Sequence, residues 1–243
     1  MIRLATVGTG WIVGEFLKGV REAGGICYTA CYSRDQQRGE AFAEEWGAQK
    51  VYTDLAQMAA DEEIDAVYIA SPNRLHYEQS KLFLQHGKHV ICEKPITVEP
   101  EELQELQELA QQKNLIYIEA LIGVYLPQMK VLQGAVERLG PVHLARFDFS
   151  QYSSKYPAYL RGELPNIFNP QMATGGWMDL GIYCLYPAIM LFGVPDHVHA
   201  HARFLSTGAD GSGCVTLQYP DKTVVLTYSK TAQGTIGSEI QGE

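Results

Sequence analysis

The sequence predicts an α/β protein with a mostly parallel sheet in its first half and a second half of different organisation. Short apolar runs alternate with amphipathic helical patterns up to about Leu121, and this alternation is typical of a parallel sheet covered by helices. The pattern then changes, and residues 194–241 contain strand-like runs separated by turn residues. We therefore expect two domains, residues 1–121 and residues 122–243.

Composition and charge narrow the functional classes. The chain of 243 residues is 46% hydrophobic and 19% charged, with a net charge of −9, which is typical of a soluble globular protein and disfavours nucleic acid or an anionic membrane as a partner. No apolar run reaches membrane-spanning length, and no basic leader precedes the first strand-like run. The five cysteines are scattered, so we expect free thiols and a cytoplasmic protein. Three alternating histidines, His197, His199 and His201, are too widely spaced along a strand for one metal ion.

The first apolar run leads directly into a glycine turn and a helix. Gly8 and Gly10 leave room for a pyrophosphate, and the free N–H groups and dipole of the following helix attract phosphates. Cofactor contacts are therefore expected at these glycines and at Trp11 and Ile12. In the G-x-G-x-x-G fingerprint the third glycine would stand at position 13, which is Val13 here, and Gly14 follows one residue later. The alternative is a tight structural turn.

The second strand, residues 26–32, ends at Ser33-Arg34-Asp35. In a dinucleotide-binding fold this tip faces the adenosine ribose, where an acid favours NAD and an arginine favours the 2′-phosphate of NADP. Ser33 and Arg34 supply a small donor and a forked cation, which predicts NADP, with NAD left open. The alternative is that Arg34 is an ordinary solvated residue and Asp35 is a helix N-cap.

Two further strands end in polar residues that should lie at the same sheet edge. The run at 64–70 ends at Ser71-Pro72-Asn73, so that Asn73 and His76 either face the cofactor or cap the next helix. The strand at 89–92 ends at Glu93-Lys94-Pro95. The proline restricts the backbone before it, and a fixed Lys94 beside a nicotinamide could bind a substrate hydroxyl and lower its pKa. The alternative for Glu93 and Lys94 is a salt bridge at the strand end.

The second half contains one polar pair in a mainly apolar helix. Asp179 and Tyr183 are four residues apart in a helix predicted from 175 to about 192, so they share one helix face. They are either an acid/base couple or a tyrosine hydroxyl satisfied by a carboxylate. The aromatic, proline-rich segment 151–174 has no clear periodicity, and it could line or cover a substrate pocket.

Taken together, these residues resemble the Gfo/Idh/MocA oxidoreductases, and the dihydrodiol and xylose dehydrogenase branch in particular. The segments that carry the resemblance are Gly8–Ile12, Ser71–Asn73 with His76, Glu93–Pro95, Glu119–Ala120 and Gly175–Tyr183. The resemblance implies a Rossmann domain followed by an α+β domain with an open, mainly antiparallel sheet. It also implies NAD(P)-dependent hydride transfer at an alcohol carbon.

The resemblance also implies roles for single residues. Lys94 corresponds to the catalytic lysine, with Asp179 and Tyr183 beside it, and the tyrosine stands where inositol-type members have histidine. The resemblance also assigns Lys94 to the cofactor side of the site, together with Ser71, Asn73, His76 and Glu93. Family members continue past the position of Glu243, so we expect the second domain to be truncated.

We therefore expect an NADP-preferring oxidoreductase that acts on a small sugar, polyol or dihydrodiol, and that forms a dimer or tetramer through an exposed sheet face. One alternative is a member that retains NAD and carries out chemistry without net redox change, as a glycosidase or epimerase does. The other is a cofactor-binding sensor without catalysis.

Overall fold

The structure, a computed structural model, describes residues 1–243, and the chain divides into two compact units, Met1–Ala120 and Leu121–Glu243. No helix combines the length and the apolar character that crossing a lipid bilayer requires.

The first unit is a six-stranded sheet in the order β3-β2-β1-β4-β5-β6. Every strand pair in it is parallel. Its strands are β1 (Ile2–Val7), β2 (Ile26–Tyr32), β3 (Lys50–Tyr52), β4 (Ala66–Ile69), β5 (His89–Cys92) and β6 (Tyr117–Glu119). Its helices are α1 (Trp11–Ala23), α2 (Gln36–Trp46), α3 (Leu55–Ala60), α4 (His76–Gln85) and α5 (Pro100–Gln112), with a 3₁₀ turn at Asn73–Leu75 before α4. The predicted parallel α/β architecture is confirmed.

The two faces of this sheet are covered by different helices. Successive residues of a strand point to opposite faces, and β4 shows this because Ala66 and Tyr68 pack in one apolar cluster, whereas Val67 and Ile69 pack in another. The first cluster contains residues of α1 and α2, and the second contains residues of α3, α4 and α5. Burial on both faces explains why the strands were readable as continuous apolar runs.

The helices α2, α3 and α5 of the first unit begin at capping residues. Asp35 caps α2 by accepting from the amide of Arg38, and Asp54 caps α3 by accepting from the amide of Ala56. Glu99 and Glu102 form a capping box at the start of α5. The capping interpretation of Asp35 is thus confirmed.

The second unit contains a five-stranded sheet in the order β11-β7-β10-β9-β8. Its strands are β7 (Val142–Ser150), β8 (His197–Phe204), β9 (Asp210–Gln218), β10 (Thr223–Ser229) and β11 (Glu239–Gly242). Its helices are α6 (Ile122–Tyr125), α7 (Pro127–Glu137), α8 (Tyr156–Leu160) and α9 (Ile182–Phe192). Only the pair β7 and β10 is parallel, which confirms the expected mainly antiparallel sheet.

The helix predicted from residue 175 is not one regular α-helix. A π-helical turn, Trp177–Gly181, precedes α9, and such turns are frequent at functional sites. A Cβ atom at Gly181 would lie 2.2 Å from the Trp177 ring, so the turn depends on glycine at this position. The segment 151–174 contains α8 and two short 3₁₀ turns, Asn166–Phe168 and Pro170–Met172.

Candidate functional site

The residues predicted to bind a cofactor lie at one edge of the first sheet. They follow β1, β2, β4 and β5, which are neighbours in the sheet order. Because all these strands are parallel, their carboxyl ends lie at the same edge, where ligands bind in open α/β sheets. The structure therefore brings together four chain segments that are separate in the sequence.

The glycine turn after β1 fits a phosphate group. Gly8 has a φ of +111°, and a Cβ atom there would approach the carbonyl oxygen of Ala70 to 3.1 Å. A Cβ atom at Gly10 would meet no atom within 4 Å, so this residue faces open space. No side chain caps α1 and no acid lies in its first turn, which leaves the positive helix end available to an anion. Trp11, the first residue of α1, is 79% exposed.

The displaced third glycine has a packing role. Gly14 faces Trp46 at the end of α2, and a Cβ atom at position 14 would lie 2.9 Å from that indole ring. Val13, which stands at the fingerprint position, is completely buried between α1 and the sheet. The departure from the fingerprint therefore concerns the packing of α1 against α2, and it leaves the glycines at the turn unchanged.

Two arginines follow β2, one directly after the strand tip and one in the first turn of α2. Arg34 is exposed, whereas Ser33 is buried and its hydroxyl accepts a hydrogen bond from the amide of Asp35 at 3.3 Å. Arg38, in the first turn of α2, donates from Nη2 to the carbonyl oxygen of Thr9 at 3.3 Å. Sequence reasoning missed Arg38, although its position three residues after the N-cap Asp35 was a readable signal.

His76 connects two of the loops at this edge. Its ring is completely buried, with Nε2 2.8 Å from the carbonyl oxygen of Ser71 and Nδ1 2.8 Å from that of Pro95. Burial lowers the pKa of His76 below its ordinary value, although the two carbonyl contacts oppose the shift. The structure thus places the histidine beneath the loops that follow β4 and β5.

Two carboxylates, those of Glu93 and Glu119, accept hydrogen bonds next to Lys94. The hydroxyl of Tyr68 donates to Oε1 of Glu93 at 2.5 Å, and the amide of Lys94 lies 3.3 Å from Oε2 of the same side chain. The amide of Ile96 donates to Glu119 at 2.8 Å. Burial raises the pKa of Glu119, the nearby Glu93 adds to the shift, and Lys94 opposes it. Lys94 therefore lies in an acidic surrounding, and its peptide bond to Pro95 is cis.

Asp179 and Tyr183 belong to the second unit. Asp179 lies in the π-helical turn and forms an ion pair with Lys230. Tyr183 lies in the first turn of α9, where its ring packs edge-on against Phe149 with 5.4 Å between ring centroids. The buried lysine is a second residue that sequence reasoning missed, and its only signal was a charged residue directly after an apolar strand.

A mainly apolar pocket lies beside Tyr183. Its lining residues come from α6, α7, α9 and the residue before α6: Leu121, Gly123, Val124, Met129, Tyr183, Tyr186, Pro187 and Met190. No group of three or more His, Cys, Asp or Glu side chains is close enough to hold a metal ion, and the three histidines of β8 are exposed.

Comparison with known proteins agrees with this geometry. Residues 2–121 match the oxidoreductase family with an NAD-binding Rossmann fold, GFO_IDH_MocA, and residues 135–243 match the GFO/IDH/MocA C-terminal domain. A scyllo-inositol 2-dehydrogenase (NADP(+)) of Bacillus subtilis, IolU, is 42% identical over the whole chain, which spans 74% of that protein. The trans-1,2-dihydrobenzene-1,2-diol dehydrogenase of Mus musculus is 31% identical over 79% of this chain and 56% of its own length.

A solved structure shows the same fold. The crystal structure of KijD10, a 3-ketoreductase from Actinomadura kijaniata in complex with NADP and TDP-benzene, superposes with a TM-score of 0.89 at 22% sequence identity, covering 99% of this chain and 74% of that one. The two family matches together span most of the sequence. The chain therefore belongs to the Gfo/Idh/MocA family of NAD(P)-binding oxidoreductases.

Proposed function

We propose that this protein is an NADP-preferring dehydrogenase acting on the CH–OH group of a small cyclic polyol, sugar or dihydrodiol. The observation that carries the proposal is the common sheet edge, where the glycine turn and Lys94 both follow parallel strands. The substrate class is supported by the activities for which the inositol and dihydrodiol dehydrogenase relatives are named. Residues 1–121 are proposed to bind the cofactor, and residues 122–243 to bind substrate and a second subunit.

The proposed cofactor contacts follow the sheet edge. Gly8, Gly10 and the amides of Trp11 and Ile12 hold the pyrophosphate, because the start of α1 is uncapped. Ser33, Arg34 and Arg38 face the adenosine ribose, where two guanidinium groups favour a 2′-phosphate.

The nicotinamide side of the proposed site contains Ser71, Asn73, Glu93 and Lys94, with His76 supporting their loops from below. When bound, NAD(P) accepts or supplies a hydride at C4 of the nicotinamide.

The proposed proton chemistry uses three side chains. Tyr183 exchanges the proton of the reacting hydroxyl, Lys94 binds that oxygen and lowers its pKa, and Asp179 assists by orienting the substrate. A positioned acid or base of this type contributes about 10²–10⁴-fold to a rate. This proposal requires Lys94 and Tyr183 for turnover, whereas a cofactor-binding sensor would bind the nucleotide and turn over no substrate.

The test combines cofactor binding with turnover. Fluorescence titration with NADPH and NADH should show quenching of Trp11, which is 79% exposed at the glycine turn, and Trp11→Phe identifies that signal. NADP reduction is then followed with scyllo-inositol, other cyclitols, sugars and cyclic diols. If a nucleotide binds but none of these substrates is turned over, the dehydrogenase proposal is contradicted. If neither NADPH nor NADH binds, the cofactor assignment is contradicted.

We also propose a homo-oligomer in the cytoplasm. The support is the edge strand β8, all of whose residues are exposed, together with five cysteines that form no disulfide. Light scattering after gel filtration measures the subunit number, and a monomer at micromolar concentration would contradict the oligomer.

A further inference from the structure

Lys230 is a buried lysine that the proposed chemistry does not use directly. Its side chain is only 6% exposed, and its ammonium group forms an ion pair with Asp179. Lysine is rarely buried unless it is paired, because an uncompensated charge in the protein interior is costly. Its partner Asp179 is one of the three residues proposed to act on substrate, so Lys230 contacts the proposed site through this carboxylate.

Both members of the pair stand on constrained backbone. The amide of Lys230 donates to the carbonyl oxygen of Gly211 at 2.8 Å, and its own carbonyl accepts from the amide of Ser153 at 2.9 Å. On the other side, the amide of Trp177 donates to Asp210 at 2.7 Å, which fixes the first residue of the π-helical turn. The ion pair therefore joins two segments that are separately held, and it restricts the orientation of the Asp179 carboxylate.

The charge of the pair determines what Asp179 can recognise. A carboxylate beside an ammonium group stays ionised and is then an acceptor only, whereas a protonated carboxyl or an amide could also donate. The side chain of Asp179 is 27% exposed, so it can be reached from outside. A substrate group that meets this carboxylate must offer a hydrogen, as a hydroxyl does.

We propose that Lys230 is a positioning residue that holds Asp179 as an oriented carboxylate, so that the site selects substrates with a second hydroxyl beside the reacting one. This inference rests on the proposed function, and it assigns to Lys230 the recognition of the vicinal hydroxyl that polyols, sugars and dihydrodiols share. The reacting hydroxyl gives its proton to Tyr183, and the neighbouring hydroxyl donates its hydrogen bond to Asp179.

The substrate pair that tests the inference is trans-cyclohexane-1,2-diol and cyclohexanol, which differ by one hydroxyl. The wild-type protein should favour the diol in kcat/KM by at least about tenfold. Lys230→Met should bring this ratio close to one and lower kcat with the diol by about a hundredfold, whereas Lys230→Arg should keep the selectivity and most of the rate. NADPH affinity should change by less than about twofold in each variant. A purely structural role for the lysine would lower both substrates equally and leave the ratio unchanged, which would overturn the proposal.

A double-mutant cycle tests the pair itself. Because Lys230 acts through Asp179, the variant Asp179→Asn combined with Lys230→Met should be no slower than Asp179→Asn alone. Multiplicative losses of rate would overturn the proposal. If Lys230→Met does not fold, the ratio of kcat/KM for the diol to that for cyclohexanol is compared between Lys230→Arg and the variant that carries both Asp179→Asn and Lys230→Met. Lys230→Arg should keep the wild-type ratio and the double variant should lose it, and equal ratios would overturn the proposal.

Urea unfolding of the wild type, Lys230→Met, Asp179→Asn and the double variant tests the ion pair independently of the proposed function. The variant that carries both Asp179→Asn and Lys230→Met should unfold at a higher urea concentration than Asp179→Asn alone, because the single variant leaves the buried ammonium group of Lys230 without the carboxylate of Asp179. If the two substitutions are non-additive in unfolding but the wild type turns over no substrate, the ion pair is supported and the proposed function is contradicted. Absence of coupling would overturn the pair, whether or not the enzyme turns over substrate.

Discussion

The guanidinium group of Arg38 donates a hydrogen bond to the carbonyl oxygen of Thr9, 3.3 Å away. This contact joins the first turn of α2 to the glycine turn, between the expected positions of the pyrophosphate and the adenosine ribose. Arg38→Met should therefore weaken NADPH binding by about tenfold or more, because the variant cannot make the charge-assisted contact to the 2′-phosphate that we propose. Fluorescence titration measures the change.

NADH is the control for this arginine, since it lacks the 2′-phosphate. Its affinity should change much less than that of NADPH in Arg38→Met and in Arg34→Met. Equal losses for both nucleotides would assign Arg38 to the packing of the glycine turn and would contradict a role in selecting NADP.

Lys94→Met should reduce turnover by at least about a hundredfold and leave nucleotide affinity nearly unchanged. The reason is that the lysine is proposed to act on the reacting oxygen, which is absent from the cofactor complex. Steady-state kinetics together with NADPH titration measures both quantities. Unchanged turnover would remove Lys94 from the mechanism.

Tyr183→Phe should lower kcat by about 10²–10⁴-fold, since only the hydroxyl that exchanges the proton is removed. Tyr219→Phe is a matched control in the same unit, because its hydroxyl donates to the carbonyl oxygen of Gly193 at 2.8 Å. The control should lose some stability and keep its kcat. Equal kinetic losses in both variants would indicate that the effect comes from folding of the second unit.

His76→Ala should lower kcat and raise the KM for the cofactor, because the carbonyl oxygens of Ser71 and Pro95 both lose their contact with the buried ring. The control is His86→Ala at the other end of α4, where an exposed ring lies 2.8 Å from the carbonyl oxygen of Leu82. Kinetics equal to those of the control would show that the loops after β4 and β5 hold their positions without His76.

Acid should destabilise the first unit through the pair Arg3 and Asp65. Hydrogen bonds from the Arg3 side chain lower the pKa of Asp65 to about 2, with burial opposing the shift. The depressed pKa contributes stability that is fully present above the unfolded value of 3.8 and is lost as the pH falls toward 2. Urea unfolding at pH 7 and pH 3 should show a larger loss in the wild type than in Asp65→Asn. An equal loss in both would contradict the pairing.

The first unit was readable from sequence wherever a strand is buried on both faces. β2 and β5 have the predicted bounds because burial on both faces produces continuous apolar runs. The three-residue strand β3 and the short helices α6 and α8 were missed, since elements of this length contain too few residues for a periodic pattern. The π-helical turn was also missed, because a five-residue turn at the start of a helix has no composition that distinguishes it from an α-helix.

The site was only partly readable for a different reason. Glycines, Ser33, Arg34 and Lys94 stand next to strand ends, so local rules placed them at one sheet edge. The contacts of Arg38 with Thr9 and of Lys230 with Asp179 join residues 29 and 51 positions apart. No local pattern carries such pairs, and they appear only when the chain is folded.

The parallel pairing of β7 with β10 has a consequence for how this fold can change. Both strands end at the same edge, and the chain beyond them stays together, because the amides of Gln151 and Ser153 donate to the carbonyl oxygens of Ser229 and Lys230. The irregular segment after β7 therefore borders the residue that holds Asp179. Insertions and substitutions in residues 154–174 can alter the surroundings of that carboxylate while the strands and the nucleotide-binding unit keep their sequence, which makes this segment the natural place for libraries that seek new substrates.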